Sequence, residues 1–238
     1  MKCLHSAALA CLLTCSTAVG AAACLARSLD FGQKEAGWAH RPLSKLKRDT
    51  VYTLAQEDGR TVLHGAADGA ASLYVALLKA AGVPAALSWR WKTDALVPGA
   101  DNRDSKREDA PLRVLVAFDG DHATLPKAEQ GRFNRARKLS GRDLPYAVLM
   151  YIWSDHVALE SVLPSAHTSQ VKMLVVASGA SGLGQWQSVR RNIADDYRRA
   201  YGAEPGRVLG VAVMTDTDNT GAKAVGQYSD IRFVCADG

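Results

Sequence analysis

In residues 112–119 the apolar side chains recur at every second position, with Val114, Val116 and Phe118 on one side. The same period of two groups Val171, Met173, Val175 and Ala177 within 171–178, and Leu87, Trp89 and Trp91 within 85–93. Successive side chains of an extended strand point to opposite faces, so these sets are the expected core-facing sides of half-buried strands. Similar runs, rich in β-branched and aromatic residues and bounded by Gly, Pro, Asp and Asn, occupy 51–56, 61–66, 72–77, 146–154, 185–191, 208–215 and 225–234. Ten strands with almost no helical periodicity predict an all-β fold, an antiparallel β-sandwich.

Three segments depart from the half-buried pattern. Residues 146–154 are apolar on both sides, with Val148, Met150 and Ile152 facing one way and Leu149, Tyr151 and Trp153 the other; this predicts a central strand or one crossed by a loop. Residues 192–201 (NIADDYRRAY) predict a short helix, with Asn192 as N-cap, acids in the first turn, arginines near the end, and Ile193, Tyr197 and Tyr201 on one stripe. Residues 125–141 form a basic insertion with a weak stripe of Phe133, Ala136 and Leu139. There is no internal repeat, low-complexity tract or interdomain linker, so one domain is expected.

The N-terminus adds a destination. Lys2 precedes an apolar stretch over 7–19, too short to cross a bilayer, which runs into Gly20, Ala21, Ala22 and Ala23. This layout predicts a secretory signal peptide over 1–23 and a single sandwich domain over 24–238, exported to the periplasm or the envelope, with no transmembrane segment once the leader is gone. Cys3, Cys11 and Cys15 fall within the leader, leaving Cys24 and Cys235. These two either close a disulfide in an oxidising compartment or leave Cys24 to carry a lipid anchor.

Composition is that of an ordinary globular chain, 47% hydrophobic and 22% charged, which excludes disorder and a polytopic membrane protein. The formal charge of +5 falls to +4 when the leader takes away one lysine and no acid. Outside the cytoplasm such a surface is either plain solubility charge or matched to a glycan or another anionic envelope component; nucleic acid is not an expected partner. Ser88, Arg90, Lys92, Arg113 and Lys172 lie on the polar sides of their strands and would form one basic face if those strands were neighbours.

LSWRWK (87–92), VLVAFDGD (114–121), VKMLVV (171–176), GQWQSVRRNIADDYRRAYG (184–202) and VLGVAVMTDTDNTGAKAVGQYSDIRF (208–233) together resemble the exported bacterial family DUF3047, over about residues 37–233. The resemblance implies a jelly-roll-like sandwich akin to galactose-binding-like domains, and it brings no catalytic residue set.

The densest polar motif is DTDNTG (216–221). Asp216, Asp218, Thr220 and Gly221 match the first, third, fifth and sixth positions of an EF-hand loop, but Gln227 stands at the twelfth, where two carboxylate oxygens are needed, and the flanks read as strands. Two readings remain: a turn whose Asp and Asn bond their own backbone, and a looser calcium site of Asp216, Asp218 and Thr220 helped by Asp230. If each strand runs antiparallel to its predecessor, FDGDH (118–122), SGASG (178–182) and DTDNTG share one rim, gathering Asp119, Asp121, His122, Asp216, Asp218 and Asn219 as ligand-binding candidates, with Arg90 and Asp230 from the strands.

Enzyme motifs are weak. Gly179-Ala180-Ser181-Gly182-Leu183 lacks the last glycine of a nucleophile elbow, and His64, His122, His156 and His167 show no zinc spacing. Asp119 or Asp121 facing Asp216 or Asp218 would make a glycosidase-like pair. The sequence thus points first to a non-catalytic sandwich binding a glycan or anionic envelope component, with no required cofactor. The alternatives are a carbohydrate hydrolase or lyase and a protein-interaction domain.

Overall fold

Trp89 meets Tyr151 with ring centroids 5.1 Å apart, and Trp91 meets Trp153 at 6.3 Å. These aromatic pairs join two sheets face to face, so the period-two alternation becomes a sandwich in the computed structural model, which describes residues 26–78, 86–141, 143–165 and 168–234.

The first sheet contains β1 (Arg27–Ser28), β3 (Val51–Glu57), β4 (Arg60–Asp68), β6 (Ala86–Lys92), β11 (Gln187–Asn192) and β13 (Lys223–Val234), in the order β11-β6-β13-β4-β3 with β1 paired to β13. The second contains β2 (Trp38–Pro42), β5 (Ser72–Leu77), β7 (Ala110–Phe118), β8 (Ala147–Ser154), β9 (Val162–Pro164), β10 (Val171–Ser178) and β12 (Val208–Asp216), in the order β2-β5-β12-β7-β8-β10-β9. Leu87, Trp89, Trp91, Val114, Val116 and Phe118 enter the main core between the sheets, as the alternation requires.

β8 is covered on both faces. Leu149, Tyr151 and Trp153 lie in the main core, while Met150 and Ile152 join a second cluster on the far face of their sheet. β10 differs from expectation: its Leu174 faces the main core, and Met173 and Val175 belong to the second cluster. Both sides of that strand are apolar, so alternation alone could not choose between them.

One pairing rearranges the ends of the sandwich. β10 runs parallel to β8, with Val171 opposite Val148 and Met173 opposite Met150. The three-residue β9 returns the chain between them, antiparallel to β10. Every other pairing between these strands of the described residues is antiparallel.

Two helices fill edges. α2 (Ile193–Tyr201) starts where Asn192 Oδ1 accepts from the amides of Ala194 and Asp195, and it stops at Gly202, which lies in the left-handed region with φ 68°. Tyr197 meets Phe118 edge-on at 4.7 Å, and the Tyr201 hydroxyl donates to the Val148 carbonyl at 2.7 Å. The basic insertion is α1 (Lys127–Ser140), anchored by buried Phe133 and by Glu129, whose Oε2 accepts from the Thr168 hydroxyl. The side chain of Leu139, the leader over 1–23, Cys24, Cys235 and His167 lie outside the described residues. No helix among the described residues is long and apolar enough to cross a membrane.

Candidate functional site

The expected common rim does not form. β7 and β12 are antiparallel, with Phe118 opposite Val208 and Ala110 opposite Asp216. Asp119 therefore follows one end of β7 while Asp216 lies beside the other, a separation of roughly 30 Å for nine residues of extended chain. Paired glycosidase carboxylates stand about 5–9.5 Å apart, so the Asp119 or Asp121 with Asp216 or Asp218 pairing is overturned. Strand parity failed at β8, where the parallel return to β10 keeps Ser178 at the end that Ser154 already occupies; the Gly179 amide donates to the Ser154 carbonyl at 3.0 Å.

At the first end, Asp119 Oδ2 accepts from Arg207 at 2.7 Å, a bond that holds its carboxyl below the usual range. Asp121 Oδ1 caps a short turn by accepting from the Ala123 amide. His122 lies edge-on to Phe133 at 4.5 Å, with Nε2 3.2 Å from the Leu144 carbonyl oxygen. Asp119, His122, Arg137 and Asp143 line a depression of about 390 Å³. Its charges are of both signs and partly paired with each other, as in the Arg137–Asp143 contact of 3.7 Å.

At the opposite end, DTDNTG closes on a residue that the sequence does not advertise. Asp109 Oδ1 accepts from the Asn219 amide at 3.1 Å, and Oδ2 accepts from the Thr220 amide and hydroxyl, both at 2.7 Å. Asn219 Nδ2 donates to the Ser105 carbonyl at 2.8 Å. Asp216 Oδ1 accepts from the Asp218 amide, while Oδ2 pairs with Arg113 at 3.0 Å. Asp218 Oδ2 pairs with Lys47.

Asp109, Asp216 and Asp218 bring one carboxylate oxygen each within 4.8 Å of one another, which is compact enough for a cation. Their oxygens are, however, committed to Arg113, Lys47 and four donors of the loop itself, the amides of Asp218, Asn219 and Thr220 and the Thr220 hydroxyl. Asp230, expected to assist, instead pairs elsewhere, and Asp109 takes its place. Burial pushes the Asp216 carboxyl up to about 7: desolvation outweighs Arg113, and Asp109 and Asp218 add repulsion.

Arg90 and Asp230 meet on the outward face of the first sheet. The expected basic face divides, because Arg113 and Lys172 belong to the second sheet and Arg113 is buried against Asp216. Ser88, Arg90 and Lys92 remain together on β6 and gain new neighbours through the register. Ser88 lies between Arg190 of β11 and Arg232 of β13, and Arg90 between Ser188 and Ser229. Asp230 occupies the bulge between Ser229 and Arg232 with φ 53°, a backbone conformation uncommon outside glycine. Its Oδ2 lies 3.4 Å from Arg60 and 3.6 Å from Arg90.

Trp186, half-buried, packs over this patch, with Arg90 Cζ 5.1 Å and Lys92 Nζ 5.6 Å from its ring centroid. Ser88, Arg90, Arg190, Asp230 and Arg232 line a groove of about 380 Å³. Trp186, Arg190 and Arg232 were legible as strand residues but not as a site, because only the sheet order makes them neighbours.

No curated protein matches the chain. Among solved structures, it is similar to the family 11 xylanase from Neocallimastix patriciarum at 7% identity and a TM-score of 0.27, over 82% of this chain and 97% of that one. A likeness that low carries no argument about activity. The family described as "Protein of unknown function (DUF3047)" matches residues 36–232, which span every strand from β2 into β13; the chain belongs to the DUF3047 family.

Proposed function

We propose that this is an exported, periplasmic or envelope-associated sandwich that binds an acidic envelope glycan on the outward face of its first sheet without chemically altering it. The observation that carries this reading is a charge imbalance within one groove: Arg90, Arg190 and Arg232 converge there, and Asp230 is the single carboxylate among the lining residues. Arginine suits the task, since its planar fork matches carboxylate, sulfate or phosphate groups, and Trp186 supplies a large apolar surface beside them. Export rests on the N-terminal leader pattern alone.

Titration calorimetry with an acidic and a neutral oligosaccharide of equal length tests the proposal. The acidic one is expected to bind more tightly, to weaken between low and physiological salt, and to lose affinity on Arg90→Ala and Trp186→Ala. Mass analysis of the recovered sugar should show it unchanged. Equal affinity for the neutral sugar sinks the anionic reading, and shortened products sink the non-catalytic one.

A further inference from the structure

The outward face of the first sheet carries a second, chemically different zone. Two cross-strand rows beyond Arg90, Val225 of β13 stands abreast of Ala66 of β4, which stands abreast of Val51 of β3. All three are exposed, Val51 at 63% and Val225 at 48%. A solvated sheet face ordinarily carries polar residues at such positions, and three aliphatic side chains in register on adjacent strands form a patch rather than a scatter.

These residues floor a trough of about 580 Å³, with Ala95 at its side. At its far end Lys223 and Asp68 lie 3.3 Å apart and neutralise one another. The same sheet face thus carries a basic, arginine-rich groove and, past the polar row of Lys92, Gln227 and His64, a trough with an aliphatic floor whose lining charges, Arg48, Lys223, Asp68 and Asp94, sum to zero. Along β13 the step from Ser229, abreast of Arg90, to Val225 is roughly 13 Å for four residues.

We infer that the ligand is an anionic amphiphile: an acidic head held by Arg90, Arg190 and Arg232, and an aliphatic chain laid over Val225, Ala66 and Val51. This rests on the reading of the basic groove as the binding face and specifies what kind of molecule fills it. A protein partner fits the patch poorly, because a stable interface buries about 800 Å² on each side around aromatic anchors, and this row offers two valines and an alanine. A narrow alkyl chain needs no more than such a strip, and each methylene it removes from water adds to the affinity.

The test uses monododecyl phosphate below its micelle concentration, with inorganic phosphate as the head alone and dodecyl maltoside as the same tail on a neutral head. Monododecyl phosphate is expected to bind at least about tenfold more tightly than either control. Val51→Ser with Val225→Ser, both exposed and so expected to leave melting unchanged, should reduce it to the level of inorganic phosphate while leaving the acidic oligosaccharide's affinity intact. If the double variant binds monododecyl phosphate as well as the parent, or if dodecyl maltoside binds equally, the amphiphile inference is overturned with the basic groove untouched. If Arg90→Ala weakens neither monododecyl phosphate nor the acidic oligosaccharide, the groove itself is not the binding face and both readings fall.

Discussion

Asp109, Asp216 and Asp218 are three carboxylates whose ion pairs involve two cations, Arg113 and Lys47. Asp216 is the deepest, and Arg113 reaches it through an apolar surround that includes the Met150 and Met173 sulfurs at 2.9 and 3.7 Å. Its carboxyl is pushed up to about 7, against about 3.9 in an unfolded chain. A raised carboxyl means that the proton binds the folded state more tightly. The stability it contributes is complete below about pH 4, declines as pH rises toward 7 and is gone above that. Urea unfolding is expected to show greater stability at pH 5 than at pH 8, by on the order of 2 kcal/mol, and Asp216→Asn should flatten the difference. Asp119, Glu129 and Glu160 are lowered carboxyls whose contributions disappear only on further acidification, so they leave that window clear. Arg113→Met should lose about 3 kcal/mol at pH 8, where Asp216 would be buried without its cation, and less at pH 5, where it takes a proton instead. A loss independent of pH would mean that the guanidinium acts through packing alone.

At the level of elements, the DTDNTG turn and its strands hold together through close approach as well as charge. Gly226 of β13 lies where an added Cβ would meet the Thr215 hydroxyl and sit 2.6 Å from the Pro111 carbonyl oxygen, a backbone atom that cannot swing aside. Gly226→Ala should cost about 1–3 kcal/mol, whereas Gly131→Ala in α1, with nothing within 4 Å, should gain roughly 0.5–1 kcal/mol from helix propensity; paired thermal melts check both. Because the loop's oxygens already receive protein donors, neither calcium nor a chelator is expected to move the melting temperature. A calcium-dependent rise abolished by Asp216→Asn and Asp218→Asn would instead make the loop a metal site. The elements that were legible are those with a strong local signal. α2 carries its cap and its spacing of four, β6 and β7 their alternation, and β8 its run of residues apolar on both sides. β9 was not, since Val162–Pro164 is too short to alternate, and that one omission reversed the predicted position of Asp119 relative to Asp216.

For the whole molecule, the lesson is that side-chain direction is local and strand order is not. Arg90 could be assigned to an outward side from LSWRWK alone, yet its partners Arg190, Arg232 and Asp230 lie 100 to 142 residues later, joined only by the pairings of β6 with β11 and β13. The same global property brings the ends of the described chain together. Arg27 is paired with Phe233, Ser28 with Arg232, and the Leu29 amide donates to the Ile231 carbonyl at 2.8 Å. Cys24 and Cys235 lie outside the described residues, each a few positions beyond that pairing. We propose that in an exported chain they form a disulfide across the ends. It would close nearly the whole mature chain into one loop, and restricting the unfolded state in that way contributes about 2–4 kcal/mol. Thiol labelling of protein purified from the cell envelope and denatured without reductant should then find no free cysteine, and reductant should lower the melting temperature of the wild type but not of Cys235→Ser. An acylated Cys24 with a free Cys235 would replace the disulfide by a membrane anchor and set the amphiphile-binding face close to a lipid surface. Two free thiols on a chain that keeps residues 1–23 would remove the export reading, and with it the reason to look for the ligand in the envelope.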